Sequence, residues 1–205
     1  MMTKKLKTFL LLFCFLALPL SAQAENAQDM NEEAEAFIQE LANNTLDTLD
    51  NIRMTQEERD QQFHDLLKDG FEIPYLSKLV LGRHRKKASK EQMRDFEQLF
   101  PDFIISVYSA RLKEYGDERF NITGSSPTGK RDLYVHSEFS RKGRNPFIAS
   151  WRVRLMDGNL RIIDIVVGGI SMLQTQREEF SSRIARVGMD GLLDDLRKRQ
   201  ETETD

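Results

Sequence analysis

Residues 147–167 read FIASWRVRLMDGNLRIIDIVV, and this stretch decides the fold. Apolar residues recur at every second position of its first half, so that one strand face carries Phe147, Ala149, Trp151, Val153 and Leu155. Arg152 and Arg154 fall on the opposite face. Asp157-Gly158 is a strong signal for a tight turn, and the apolar run Leu160 to Val167 follows it. The stretch therefore predicts a β-hairpin, broken after Val167 by Gly168-Gly169.

Two further strands are predicted upstream of this hairpin. A period of two recurs after the loop 124–130, where Leu133, Val135 and Phe139 alternate with polar or aromatic residues. A short strand is expected near residues 120–123. Together with the hairpin, these segments predict a sheet of about four antiparallel strands.

The segments that precede and follow these strands in the sequence have helical patterns of apolar residues. Residues 34–52 carry apolar residues at helical spacing, and residues 93–112 are apolar around much of the helix circumference. Thr55 with Glu58, Ser89 with Gln92, and Ser171 with Gln174 are helix-start patterns. Pro101 predicts a kink or a helix restart near Phe100, and Gly188 predicts a helix end. The chain is therefore expected to be α+β, with helices packed on one face of a curved sheet.

The N-terminus resembles a secretory signal peptide. Three lysines precede the apolar run Phe9–Leu18, and Ala22-Gln23-Ala24 has the small-x-small form of a cleavage site. The alternative is a membrane anchor, for which this apolar run is short. We expect cleavage after Ala24, one domain over 25–199 and a flexible polar tail over 200–205.

Charge and cysteine content limit the function classes. Without residues 1–24 the chain has no cysteine, and its formal net charge falls from −3 to −6. An acidic balance disfavours a nucleic-acid partner. An exported chain without disulfides is typical of the bacterial periplasm, and no other apolar run is long enough to cross a bilayer.

The sequence shows no catalytic cluster. His64, His84 and His136 have no second histidine or cysteine at metal-ligand spacing, so no metal site is predicted. Asp164 interrupts the most apolar strand, where it is either a general base or, as we favour, a carboxylate that binds a helix cap or an arginine. The basic run 83–87 is either a solvated loop or a surface for an anionic lipid headgroup or an acidic protein, and the role of the second basic loop, 141–144, is left open in the same way.

Three stretches of the chain, taken in order, resemble one known family. They are Tyr75–Gly82 with Lys87-Ala88-Ser89 and the helix to Phe103, then Val107-Tyr108 through Leu112 and Tyr115, and finally Ile163–Ser171 with Phe180 and Gly188–Leu196. This ordered set resembles the toluene-tolerance, Mla-pathway family of periplasmic phospholipid-binding proteins (MlaC-like). The similar stretches span residues 34–196, nearly all of the chain behind the signal peptide.

The resemblance implies a soluble lipid carrier that is not an enzyme and has no cofactor. Such proteins hold phospholipid acyl chains in a cavity between sheet and helices. They exchange lipid with an inner-membrane ABC transporter and with an outer-membrane lipoprotein–porin complex, which supports outer-membrane lipid asymmetry. Related members serve hopanoid systems. We expect a monomer.

Strand alternation and helix pattern nominate the lipid contacts. On the sheet side we expect Val135, Ala149, Trp151, Val153, Ile163, Ile165 and Val167. On the helix side we expect Tyr75, Leu79, Phe100, Phe103, Ile104, Val107 and Tyr108.

Two other classes of function remain open at this point. One is a small isomerase or dehydratase on a cone-shaped fold, using Asp164 with Tyr134 or His136. The other is a non-catalytic adaptor that binds envelope proteins through its basic loops. The sequence does not separate a filled core from one that encloses a ligand.

Overall fold

The computed structural model describes residues 21–112, 119–141, 143 and 145–204. Four helices come first: α1 (Ser21–Asp50), α2 (Gln56–Gly70), α3 (Ile73–Leu81) and, after a 3₁₀ helix at Gly82–Lys86, α4 (Lys90–Leu112). The strands β1 (Arg119–Thr128), β2 (Asp132–Ser140), β3 (Phe147–Met156), β4 (Asn159–Val167) and β5 (Ile170–Ser171) follow, and α5 (Met172–Thr204) ends the chain. Most of the predicted signal segment, Tyr115, Lys142 and Arg144 lie outside the described residues.

The predicted α+β class is confirmed. The strands form one antiparallel sheet in the order β1-β2-β3-β4-β5, so each strand pairs with its neighbours in the chain. The hairpin turn at Asp157-Gly158 joins β3 to β4 as predicted. The sheet has a fifth strand of two residues that the sequence pattern did not reveal, because it is too short to show a period.

A bulge in β4 changes which of its residues share a face. Trp151 pairs with Ile165 and Arg152 with Asp164, but Val153 pairs with Ile162. Ile163 is therefore the extra residue of the bulge, where strict alternation fails. The alternation that grouped Ile163 with Ile165 does not hold, and Ile162 takes the place opposite Val153.

The three predicted helix starts are confirmed by hydrogen bonds. Thr55 and Glu58 form a reciprocal capping box. The Ser89 hydroxyl accepts the Gln92 N–H at 3.0 Å, and the Ser171 hydroxyl accepts the Gln174 N–H at 3.0 Å. Because the first backbone N–H groups of a helix have no partner inside it, these side chains fix where each helix begins.

Two predicted interruptions have different outcomes. The helix α4 continues through Pro101 from Lys90 to Leu112, so of the two alternatives predicted near Phe100, a kink or a restart, the restart does not occur. In α5, Gly188 has φ +76° and ψ −179°, a backbone conformation that side-chain-bearing residues rarely adopt. The predicted break at Gly188 is therefore confirmed as a kink within one long element.

Two buried clusters hold the layers together. One joins α3, α4 and α5 around the rings of Phe96, Phe100 and Phe180, with Phe96 5.4 Å from Phe100 and 5.5 Å from Phe180 between centroids. The other packs Ala34 and Ile38 of α1 on the sheet. The short connection between α2 and α3 follows the edge of β4, where the Glu72 N–H donates to the Ile162 carbonyl at 3.3 Å. Within the described part of the chain, no helix meets the length and hydropathy of a membrane span.

Candidate functional site

An apolar pocket of about 510 Å³ lies between the helices and the sheet. Its volume is within the range of ligand-binding pockets. Three of its described lining residues are polar, namely Thr45, Asp164 and Gln176. The apolar lining residues are Ile38, Leu41, Ala42, Leu46, Leu49, Phe63, Leu66, Leu67, Phe71, Ile73, Leu76, Val80, Phe100, Ile104, Phe139, Phe147, Ala149, Trp151, Ile165, Val167, Met172 and Leu173.

The sheet side of the pocket is made of aromatic and small residues. The Trp151 indole N–H donates to the Ser137 hydroxyl at 2.9 Å, and that hydroxyl donates to the Ala149 carbonyl at 3.1 Å. The polar atom of the indole is thus satisfied within the sheet, as a buried tryptophan requires. Phe139 and Phe147 stack nearly parallel, with centroids 4.7 Å apart. The wall that results offers hydrocarbon and ring faces.

The helix side is a continuous apolar stripe. Pocket residues of α1 recur every three or four positions from Ile38 to Leu49, which is one face of a helix. The single hydroxyl in this stripe, that of Thr45, donates to the Leu41 carbonyl at 2.8 Å. Phe63, Leu66 and Leu67 of α2 extend this wall, and further lining residues come from α3, α4 and α5.

Asp164 is the ionisable residue among the described lining residues, and both oxygens of its carboxylate accept hydrogen bonds. One oxygen accepts the Ser171 hydroxyl at 2.7 Å, and the other accepts the Leu173 N–H at 3.1 Å. Asp164 thereby supports the start of α5, so the interpretation as a cap-binding carboxylate is confirmed. A negative charge next to a helix N-terminus is also favoured by the helix dipole.

The residues that the enzyme hypothesis needs do not converge. His136 lies between the hydroxyls of Ser126 and Ser150, each 2.9 Å from a ring nitrogen. Tyr134 stacks beside His136, with centroids 6.2 Å apart. No hydrogen bond joins either of them to Asp164 among the described residues, and the same residues hold no cluster of three metal-binding side chains. Among the described residues, the three side chains of the enzyme hypothesis therefore do not form an acid–base pair at the pocket wall.

Comparison with known proteins gives the family. The model of the MlaC protein family matches residues 39–198. This chain belongs to the MlaC family.

Individual members are distant in sequence. The intermembrane phospholipid transport system binding protein MlaC of Haemophilus influenzae is 24% identical over 126 residues, which are 59% of this chain and 58% of that protein. The toluene tolerance protein ttg2D of Pseudomonas putida is 20% identical over 116 residues, 56% of this chain and 54% of that protein. The aligned parts thus cover little more than half of either relative.

A solved structure shows the same fold. The phospholipid-binding protein from Ralstonia solanacearum, determined in complex with a phospholipid, superposes with a TM-score of 0.71 at 19% identity. The superposition covers 84% of this chain and 99% of that structure. The helices and sheet described above are therefore arranged as in that structure.

The structure places six of the nominated lipid contacts in the pocket wall of this MlaC family member. These six are Phe100, Ile104, Ala149, Trp151, Ile165 and Val167. The side chain of Tyr108 lies outside the described residues.

The other nominated residues lie outside the described lining. Val135 and Val153 are fully buried in the cluster between α1 and the sheet. Phe103 packs on Phe180, with ring centroids 5.2 Å apart, against the buried cluster that joins α3, α4 and α5. The remaining members of this group are Tyr75, Leu79, Val107 and Ile163.

Tyr75 belongs to a polar cluster outside the pocket. Its hydroxyl accepts a hydrogen bond from Arg154 at 2.8 Å. Both Arg152 and Arg154 donate to the buried carboxylate of Asp132. Burial opposes the charge of Asp132, but the hydrogen bonds from Arg154 and Arg152 outweigh it and hold the pKa of this carboxyl below its usual range. The hydrogen bond from Arg154 to Asp132 likewise raises the pKa of Arg154.

Sequence reasoning missed the contribution of α1 and α2 to the pocket. The signal was present, because residues 38–49 have an apolar stripe, but the same stripe is typical of any helix packed on a core. Periodicity says which face of a helix is covered. It does not say whether side chains or a ligand cover it.

Proposed function

We propose that this MlaC family member carries phospholipid by holding acyl chains in the pocket. The observation that carries the proposal is the pocket itself, whose wall is almost entirely apolar among the described residues and joins all five α-helices to the sheet. The name of the relative from Haemophilus influenzae and the bound phospholipid of the Ralstonia solanacearum structure support the same class of ligand.

The energetics of lipid transfer require such a pocket. Exposing one methylene to water costs about 0.8 kcal/mol, so two chains of roughly sixteen carbons would cost on the order of 20 kcal/mol. Unassisted passage through water is therefore very slow. An apolar container removes most of this cost without forming or breaking a bond, which agrees with a carrier that is not an enzyme.

The headgroup stays outside the pocket in this proposal. Asp164 is already bound by Ser171 and Leu173, and Thr45 by Leu41, so the described lining residues include no free charged side chain for a phosphate. A phosphate inside would be desolvated without a partner, which is unfavourable. We therefore expect the protein to select its ligands by their acyl chains and not by their headgroups.

We assign the direct acyl-chain contacts to the pocket-lining residues, and a supporting role to the nominated residues that lie outside the lining. Val135 and Val153 hold the sheet against α1, and Phe103 supports α4 against α5. Tyr108 is proposed as a contact on the same helix as Ile104.

The proposed setting is the periplasm, with export directed by residues 1–24, cleavage after Ala24 and a single lipid-binding domain over 25–199. The proposed exchange partners are the lipid-binding subunit of an inner-membrane ABC transporter and an outer-membrane lipoprotein–porin complex. Membership of the MlaC family supports this route. We propose that the carrier acts as a monomer.

Native mass spectrometry of the protein purified from its own host tests the proposal. We expect a mass above that of the chain alone, and solvent extraction that releases phospholipid in a fixed ratio to protein. Release of a hopanoid instead would change the cargo class within the same kind of carrier. A preparation that carries no lipid, and takes up none from phospholipid vesicles, would refute the carrier function.

A further inference from the structure

A strongly basic surface of the described chain surrounds the 3₁₀ helix between α3 and α4. Residues 73–90 contain no aspartate or glutamate, although the whole chain is acidic with a net charge of −3. The exposed cations of this surface, named here the basic patch, are Arg83, Arg85, Lys86, Lys87 and Lys90. It lies outside the pocket lining.

The cations of the basic patch differ from other arginines of the described chain in their ion pairing. Across the part of the chain that the structure describes, no salt bridge involves any of the five. By contrast, Arg152, Arg154, Arg183 and Arg197 each bind a carboxylate. With respect to the described residues, the basic patch is thus a positive area without salt bridges on a chain of net negative charge. Such an area attracts anions and orients the protein toward them.

The backbone beneath the basic patch is fixed rather than loose. The His84 ring is 3.0 Å from the Ser181 hydroxyl of α5, and Arg177 of α5 donates to the Leu79 carbonyl at 2.8 Å. Burial, and then the charges of Arg83 and Lys87, lower the pKa of His84, which favours its neutral form. His84 therefore anchors the turn while its neighbours carry the charge. Gly82 enters the turn at φ +52°, which suits glycine.

The composition of the basic patch decides what kind of partner it fits. Protein–protein interfaces have a core depleted of lysine and rich in aromatic and apolar residues. None of the exposed large apolar residues of the described chain lies in residues 82–90. Clustered lysine and arginine without an apolar anchor suit a surface of anionic headgroups, where each cation near the surface contributes about 1 kcal/mol.

We infer that the basic patch docks the protein on membranes that contain anionic phospholipid. The contact is electrostatic and peripheral, because nothing in the patch inserts into hydrocarbon. It goes beyond the proposed carrier function and does not depend on what the pocket holds.

Vesicle co-sedimentation tests this inference on the purified protein. Binding is measured to phosphatidylcholine vesicles with and without 30 mol% of phosphatidylglycerol, at about 0.05 M and about 0.5 M salt. We expect binding that requires phosphatidylglycerol and is lost at high salt. The variant Arg85→Gln/Lys86→Gln removes two exposed cations and should weaken the partition coefficient by about 30-fold.

The chain offers a matched control for that variant. Lys130→Gln/Arg131→Gln also removes one exposed lysine and one exposed arginine, at the turn between β1 and β2. Its partition coefficient on the vesicles should stay within about threefold of that of the parent protein, and thermal melts should show that both variants are folded. Equal loss in the two variants, or equal binding to vesicles without phosphatidylglycerol, would overturn the inference.

Two further results distinguish membrane docking from binding to an acidic protein and from the carrier function. No binding to phosphatidylglycerol vesicles, together with salt-sensitive retention on polyglutamate, would overturn membrane docking in favour of an acidic protein partner. The lipid bound to each purified protein is measured by extraction before vesicles are added. An empty pocket with intact vesicle binding would refute the carrier function alone, and a filled pocket without vesicle binding would refute the docking alone.

Discussion

Asp132 shows how single residues outside the pocket hold the fold that forms it. Its side chain is 3% exposed and receives hydrogen bonds from Arg152 and Arg154, and Arg154 reaches on to Tyr75 of α3. The cluster therefore ties the start of β2 to β3 and to a helix. A buried carboxylate is tolerated only where such donors surround it.

Replacing this carboxylate should destabilise the protein in a pH-dependent way. Asp132→Asn leaves two guanidinium groups without their counter-charge, and we expect a loss of about 3 kcal/mol in the free energy of unfolding at pH 7. Because the native pKa of Asp132 is lowered, its stabilising effect is complete above the unfolded value near 4 and disappears as the pH falls through the native value. Urea unfolding at pH 7 and pH 3 measures both effects, with a smaller difference between parent and variant at pH 3.

Asp157→Asn is the control for this experiment. Asp157 is exposed in the β3–β4 turn at φ +49°, a conformation that asparagine also accepts. It should change the free energy of unfolding by less than about 0.5 kcal/mol. A loss at Asp132 that is the same at pH 7 and pH 3 would contradict the assigned ionic role.

At the scale of elements, α1 allows a test of whether its apolar face lines a pocket or belongs to a filled core. Ala42 lies in the pocket wall and is half-buried, whereas Ala36 on the same helix is exposed. The same substitution at both positions therefore compares the pocket with the solvent while the change in helix propensity stays the same.

Ala42→Trp should reduce the amount of bound lipid. An indole added to the wall occupies space that acyl chain would fill, and the loss of two or more methylene contacts predicts an affinity lower by about tenfold. Ala36→Trp should retain lipid at the parent level. Solvent extraction of both purified variants measures the molar ratio of lipid to protein, and circular dichroism confirms the fold. Equal lipid in the two variants would contradict the assignment of α1 to the pocket wall.

Elements were predictable where the signal is local. The capping pairs at Thr55, Ser89 and Ser171 and the turn at Asp157-Gly158 each involve residues within a few positions, and each is present in the structure. The bulge at Ile163 was not predictable, because it depends on which residues of β3 lie opposite. The continuity of α4 through Pro101 likewise depends on its packing in the helical cluster.

The pocket was only partly predictable for a related reason. Strand alternation identified Ala149, Trp151, Ile165 and Val167, since one face of a sheet is shared along each strand. It also nominated Val135 and Val153, which share that face but are covered by Ala34 and Ile38 of α1. Where a helix stops covering a sheet is a property of tertiary packing, and no periodicity in the sequence encodes it.

At the scale of the whole molecule, the pocket separates two packed clusters. Side chains of α3, α4 and α5 form one cluster, and α1 with the sheet forms the other. The pocket takes residues from both, including Ile38 and Phe100. Wall atoms with nothing opposite them lose dispersion contacts, so a ligand that fills the space should join the clusters into one cooperative unit.

Removal of bound lipid should therefore lower the melting temperature of the intact protein. A ligand that binds only the native state at about 100 times its dissociation constant stabilises it by about 2.7 kcal/mol, which corresponds to about 5–10 °C for a chain of this size. Calorimetry before delipidation, after it, and after phospholipid is restored measures the shift, and restoration should return the original value. Ala42→Trp should show a smaller shift than the parent, because its indole already fills part of the space. Should the delipidated parent melt at the original temperature with an unchanged unfolding enthalpy, the pocket walls would be self-sufficient, and lipid would not be part of the folded core.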